Sequence, residues 1–147
     1  MGPERRQRFS WRLVPWLLVV LLTPPLTIRI MEGHAALLWT EYYVSRGPEK
    51  VSRSAENAAK AGRAAARAID LVAPLPDAAT AARLSLGLAA AVELQNPGTA
   101  WDVAHEVRSA LDRARGSSFR GLGLSSLAEE ARTLEERTQK EASGEPR

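Results

Sequence analysis

LVPWLLVVLLTPPLTI, residues Leu13 to Ile28, is an uncharged apolar run bracketed by Arg12 and Arg29. Its reading decides where the rest of the chain sits. As a helix these 16 residues rise roughly 24 Å, a little short of a hydrocarbon core of about 30 Å. Extension to Trp11 and Ile30 reaches the full thickness if the flanking arginines snorkel towards the headgroups. Ten of the 16 are Leu, Val or Ile, which together favour insertion by on the order of 3 to 6 kcal/mol. Pro15 falls in a first turn, where its missing N–H costs little. Pro24 and Pro25 predict that the helix bends or ends in its last third. The pattern predicts a transmembrane anchor over residues 13–30, with Trp11, Arg12, Trp16 and Arg29 as its flanks.

A cleaved secretory signal is the rival reading. Arg5, Arg6, Arg8 and Arg12 form a basic front end, as such signals require. A small-x-small exit site should follow the apolar core closely, yet Pro24 and Pro25 stand there and the first passable triplet is Gly33-His34-Ala35. An uncleaved anchor is therefore favoured. The net charge of +3 resides in residues 1–12, because the remaining basic and acidic residues balance. By the positive-inside tendency that tail stays cytoplasmic and the remainder is exported. The cluster is too short to read as a nucleic-acid site, and Arg6 replaces the Ser or Thr of a myristoylation signal.

Composition narrows the rest. Residues beyond the anchor suffice for one small domain and not for a large enzyme core. No cysteine is present, which removes disulfides and thiolate metal sites. Arginine far outnumbers lysine and alanine is abundant, as in GC-rich bacterial coding, so the expected location is a bacterial inner membrane with the C-terminal domain periplasmic or extracytoplasmic.

After the anchor, residues 31–48 form a juxtamembrane amphipathic segment and hinge. Met31, Ala35, Leu38 and Tyr42 recur at three- and four-residue steps and give one apolar stripe, either lying on the bilayer or folding back as the first helix of the domain. Arg46-Gly47-Pro48 breaks it. Residues 49–141 read as a helical domain. Glu49 to Val72 has an alanine-rich inner face, so a neighbouring helix must come close. Ala73-Pro74-Leu75-Pro76 turns the chain. Asp77 to Gln95 is apolar nearly all round, which predicts a central helix covered on at least two sides. Thr99 is a candidate N-cap for a helix reaching about Arg115. Gly116 to Ser125 is a glycine-rich loop whose Phe119, Leu122 and Leu124 dock on the bundle. Ser126-Leu127-Ala128-Glu129 reads as a capping box opening a mainly solvated last helix, with Glu136 and Lys140 as an i,i+4 pair. Residues 142–147 are expected to be a disordered tail.

Ala68-Ile69-Asp70-Leu71-Val72-Ala73-Pro74, followed by Leu86-Gly87 and Ala100, resembles the closing run, Leu-Gly and helix-B alanine of a tetratricopeptide repeat. The resemblance covers about residues 68–107, one helical hairpin. It implies a TPR-like antiparallel α-hairpin and a partner-binding role. About three stacked repeats are needed for a superhelical groove, and further copies are not visible.

The chemistry-bearing residues are scattered. His34 and His105 lack a second ligand at metal-binding spacing, the serines on loops lack a nucleophile elbow, and paired acids such as Glu129-Glu130 read as a wet helix face. No catalytic, cofactor or metal residue is assigned, and an enzyme is not expected. The fold class predicted is all-α: a transmembrane helix followed by a small antiparallel bundle. The function predicted is a single-pass scaffold or accessory, partner-binding subunit of a membrane or envelope complex. Trp39, Tyr42, Tyr43 and Trp101 are its candidate protein contacts, because aromatic anchors tend to carry interface energy. The partners expected are the membrane and a protein, with no nucleic acid and no small-molecule substrate. The alternative is a secreted helical binding protein released by signal cleavage.

Overall fold

The structure is a computed structural model, and it describes residues 14–46, 51–73, 75–116 and 124–143. Five helices account for nearly all of these: α1 (Val14–Arg46), α2 (Val51–Val72), α3 (Pro76–Val92), α4 (Pro97–Gly116) and α5 (Leu124–Ser143). No strand occurs among the described residues. The basic tail with Trp11 and Arg12, the Gly47-Pro48 break, Phe119, Leu122 and the final residues 144–147 lie outside them.

α1 is one helix of 33 residues, about 50 Å long at 1.5 Å per residue. Pro24 and Pro25 do not end it; of the bend or end expected there, the end does not occur. Each proline removes a single donor, leaving the Val20 and Leu21 carbonyls without their usual partners. The helix continues on both sides, and Thr23 and Thr27 hydroxyls add bonds to the Val19 and Thr23 carbonyls. Its two halves differ sharply. Pro15 to Glu32 are exposed, whereas Gly33, Ala36, Leu37 and Thr40 are buried against the bundle. Residues 31–46 are thus the first helix of the domain, the second of the two placements weighed for them. The buried face is not the Met31, Ala35, Leu38, Tyr42 stripe, which points the opposite way. Close approach decides this: a Cβ on Gly33 would lie 2.1 Å from a Val72 methyl, so only the small-residue side of α1 fits against α2.

Side-chain contacts fix the helix directions. Arg29 reaches the Leu71 and Asp70 carbonyls, while Asn57 donates to the Arg46 carbonyl, so α1 and α2 run antiparallel. Asp70 meets Arg113, which sets α4 alongside α2; α5 packs mainly on α4, and Glu93, just past the end of α3, meets Arg137 of α5. Heavy packing falls on α2, which lies against α1, α3 and α4; α3 touches all four other helices. The covering predicted for α3 is found, but its outward side is small or polar rather than apolar, with Thr80, Arg83, Gly87 and Ala90 exposed.

The core is alanine-rich. Ala58, Ala61, Ala65 and Ala68 on α2 are fully buried, with Ala81, Ala82 and Ala89 on α3 and Ala100, Ala104 and Ala110 on α4. Ile69, Leu86, Val103, Val107 and Leu111 supply the larger buried side chains, each worth roughly 1.5 to 3 kcal/mol of transfer free energy. Two glycines set helix separations: Gly33 against Val72, and Gly62, whose Cβ would lie 3.0 Å from both Val103 methyls. A Cβ at Gly87 meets nothing within 4 Å. Gly87→Ala should therefore stabilise the bundle by about 0.5 to 1 kcal/mol through helix propensity alone; a urea midpoint unchanged or lowered contradicts this.

The cap of α4 and the whole of α5 differ from the prediction. Asn96, not Thr99, caps α4: its Oδ1 accepts the Thr99 N–H at 3.1 Å, with Pro97 in the first helical position, where its fixed φ suits it. α5 begins at Leu124, two residues ahead of the proposed capping box. It is also not mainly solvated, since Leu124, Leu127, Ala128, Ala131, Leu134 and Thr138 are buried. The i,i+4 pair on it is Arg132 with Glu136 at 2.9 Å, not Glu136 with Lys140.

Candidate anchor and aromatic docking face

The apolar run has the exposure of a segment without a protein neighbour. Trp16, Leu17, Leu18, Val19, Val20, Leu21, Leu22, Leu26 and Ile28 all stand open, and this part of α1 is long and apolar enough to cross a membrane. Arg29 ends it. Rather than extending freely, its guanidinium donates from Nε to the Leu71 carbonyl at 2.6 Å and from Nη2 to the Asp70 carbonyl at 2.8 Å. These carbonyls belong to the last turn of α2, where no intrahelical donor remains. A cation there also meets the negative end of the helix dipole. One turn further on, His34 Nδ1 and Asp77 Oδ2 are 2.9 Å apart, joining α1 to the first turn of α3. The boundary between the exposed and packed halves of α1 is therefore clamped to both neighbouring helices.

Beyond the clamp, three of the four aromatic candidates come together. Trp39 stacks on Tyr43 with centroids 5.8 Å apart, and Tyr42 meets both edge-on at 5.7 and 5.4 Å. Trp39 and Tyr42 are exposed, while Tyr43 leans on the core. Two cations cover the cluster: the Arg46 guanidinium 5.1 Å above the Tyr42 ring and the Lys60 ammonium 5.9 Å from that of Tyr43. Such contacts hold rings in place by about 0.5 to 1 kcal/mol at exposed sites. Lys60 is also hydrogen-bonded to Glu56, which holds the Glu56 carboxyl below its ordinary pKa. Between α1 and α2 the cluster is flanked by two clefts. One, of about 460 Å³, is lined by Tyr42, Arg46, Arg53 and Asn57; the other, of about 400 Å³, by Glu32, Trp39, Arg63 and Arg67.

Trp101 is elsewhere. It sits half-buried on α4, stacked on His105 at 4.8 Å, and His105 Nδ1 lies 2.9 Å from Glu135 Oε1 of α5. Arg108 Nη1 approaches Glu135 Oε2 to 2.9 Å as an ion pair but off hydrogen-bond geometry, leaving Arg108 Nε buried without an acceptor. Trp101 thus caps a charged tie between α4 and α5. A second tie is bidentate: Arg137 donates to both oxygens of Glu93, from Nη2 at 2.6 Å. Those bonds raise the Arg137 pKa, and Glu93 is buried. Arg137→Leu strands that carboxylate, which should cost about 2 kcal/mol, less than a fully buried pair because the arginine is half exposed. The Arg137→Leu, Glu93→Leu double variant should recover most of the loss, as read from urea midpoints; no recovery contradicts the pairing.

Sequence spacing found the Trp39, Tyr42, Tyr43 cluster because i, i+3 and i+4 residues share a helix side. It missed the Arg29 clamp and both histidine pairs, whose partners are 30 or more residues away. Each histidine bonds a carboxylate from another helix, and among the described residues no group of three His, Asp or Glu side chains converges to hold a metal ion.

Set against family models, curated protein sequences and solved structures, the chain matches none of them.

Proposed function

We propose that this protein is a single-pass, membrane-anchored adaptor that holds a helical bundle against the bilayer and presents the Trp39, Tyr42, Tyr43 face to a protein partner. The observation that carries the reading is the division of α1: one unbroken helix, wholly exposed over its apolar first half and packed into the bundle over its second. A continuous helix of that kind joins the apolar segment to the bundle without an intervening loop. The Arg29 clamp supports it further, because it fixes the bundle within a turn of the apolar segment.

A released form is disfavoured by the same geometry. The first passable cleavage triplet, Gly33-His34-Ala35, lies inside α1, and cutting there discards the Arg29 clamp, the Gly33–Val72 contact and the His34–Asp77 bond. The basic residues ahead of the anchor favour, by the positive-inside tendency, a bundle on the extracytoplasmic side of a bacterial inner membrane. The tetratricopeptide-like reading contributes only antiparallel hairpin packing here, since Gly87 makes no close helix contact.

A photo-crosslinker at Trp39 or Tyr42, in whole cells, tests the partner face. One discrete protein adduct is expected there and none from Arg83 on the solvent side of α3. Adducts with lipid alone, or equal capture from both sides, contradict the assignment.

A further inference from the structure

The partner face can be assigned an occupant. We propose that α1 pairs in parallel with α1 of a second copy of this chain, along the stripe Ile28, Met31, Ala35, Leu38 and Tyr42. The inference rests on the membrane reading, which gives both copies the same orientation.

The stripe is opposite the side of α1 that packs on the bundle. With 3.6 residues per turn, Gly33, Leu37 and Thr40 centre on one face, and Met31, Ala35, Leu38 and Tyr42 fall about half a turn away. Met31 is 67%, Leu38 51% and Tyr42 44% exposed. A soluble helix does not normally leave such a row bare on the side away from its own core. From Ile28 to Tyr42 the spacing alternates three and four, and the same register extends back through Pro24 to Leu21 and Leu17 in the apolar run. A 3.5-residue repeat of this kind is the seam of a left-handed two-helix coil. In that register Leu17, Pro24, Met31 and Leu38 take d positions, and Leu21, Ile28, Ala35 and Tyr42 take a positions, so the apolar pairing is continuous from Ile28 onward.

The flanking charges choose a parallel copy of the same sequence. Glu41 then occupies a g position and Arg46 the following e position, and in a parallel two-fold coil g meets e five residues on in the other helix. Glu41 of each copy therefore faces Arg46 of the other, giving two opposite-charge contacts. Glu32 at e meets uncharged Thr27 at g, so no like-charge pair opposes the arrangement. Glu41 and Arg46 are both exposed, and Trp39, at an e position, covers the edge of the seam beside the α1–α2 cleft. An unrelated helix offers no reason for this register to be matched by its own flanking charges.

The chain has no cysteine, so single cysteines report without background. In full-length protein in vesicles of phosphatidylethanolamine and phosphatidylglycerol, at high lipid-to-protein ratio, oxidation should convert most of the Leu38→Cys chain, and Met31→Cys likewise, to a covalent dimer. Arg83→Cys, on the far side of the bundle, should stay monomeric. Glu41→Arg and Arg46→Glu should each weaken association roughly 2- to 5-fold, from two helix-surface pairs, and the double variant should restore it. Seam cysteines that stay single, or that dimerise no more than Arg83→Cys, overturn the proposal, as does a double variant weaker than either single one. Carbonate extraction of the same vesicles separates the two readings. A chain that stays in the pellet with unpaired seam cysteines fails the seam alone; a chain washed out with paired cysteines fails the anchor alone.

Discussion

Replacing Leu18 and Leu21 together with arginine should move the full-length chain from the carbonate-resistant pellet to the soluble fraction. Both side chains are exposed on the apolar half of α1. The wild-type run favours insertion by on the order of 3 to 6 kcal/mol, and each arginine near a helix centre opposes it by about 2.5 to 3.5 kcal/mol besides the leucine contribution lost. Two such changes reverse the sign. The bundle, which buries neither residue, should keep its urea midpoint, so the loss of membrane association is separable from unfolding. Retention in the pellet by the doubly substituted chain would mean that something other than the apolar run holds it there.

The second large effect is expected at Gly62. Its absent side chain lets α2 and α4 approach until a Cβ would lie 3.0 Å from both Val103 methyls and 3.3 Å from the Val103 Cα. A methyl can rotate away; backbone cannot. Gly62→Leu must therefore separate the two helices along a seam that also includes Ala58, Ala65 and Ala104, and it should cost about 3 kcal/mol or more, at the upper end of overpacking penalties. For a bundle of this size that is a large share of the total stability. Val103→Ala in the same chain should return part of the loss. A Gly62→Leu chain as stable as wild type in urea would show that the helices are further apart than described.

Much of this architecture is legible in the chain. Helix boundaries fall beside prolines, with Pro76 opening α3 and Pro97 opening α4, and the alanine-rich side of Glu49–Val72 announces close packing, because little else can be buried there. The apolar run is equally plain. The faces of α1 are not. Met31, Ala35, Leu38 and Tyr42 form the more hydrophobic stripe, and periodicity alone assigns it to the core. The bundle takes Gly33, Ala36, Leu37 and Thr40 instead, since the Val72 side of α2 leaves no room for a larger residue than glycine. Local hydrophobicity ranks faces; steric fit between two helices selects one.

The electrostatic ties were hidden for a related reason. A charged residue on a helix reads as solvated unless its partner is three or four positions away. Arg29, His34, Glu93 and Glu135 find partners on other helices, and that pairing depends on registers that no single segment encodes. For α5 this matters most. Leu127, Ala131 and Leu134 alone make a narrow apolar stripe, but Glu135 and Thr138 are buried with it, so polar positions are part of its contact.

A membrane-anchored role requires α1 to remain whole, with its first half in lipid and its second in the bundle. Intact mass of the chain recovered from carbonate-washed membranes tests this most directly. The expected result is a full-length polypeptide of 16.0 kDa in the pellet; a shortened chain in the soluble fraction, lacking roughly its first 35 residues as signal cleavage would leave it, would contradict it.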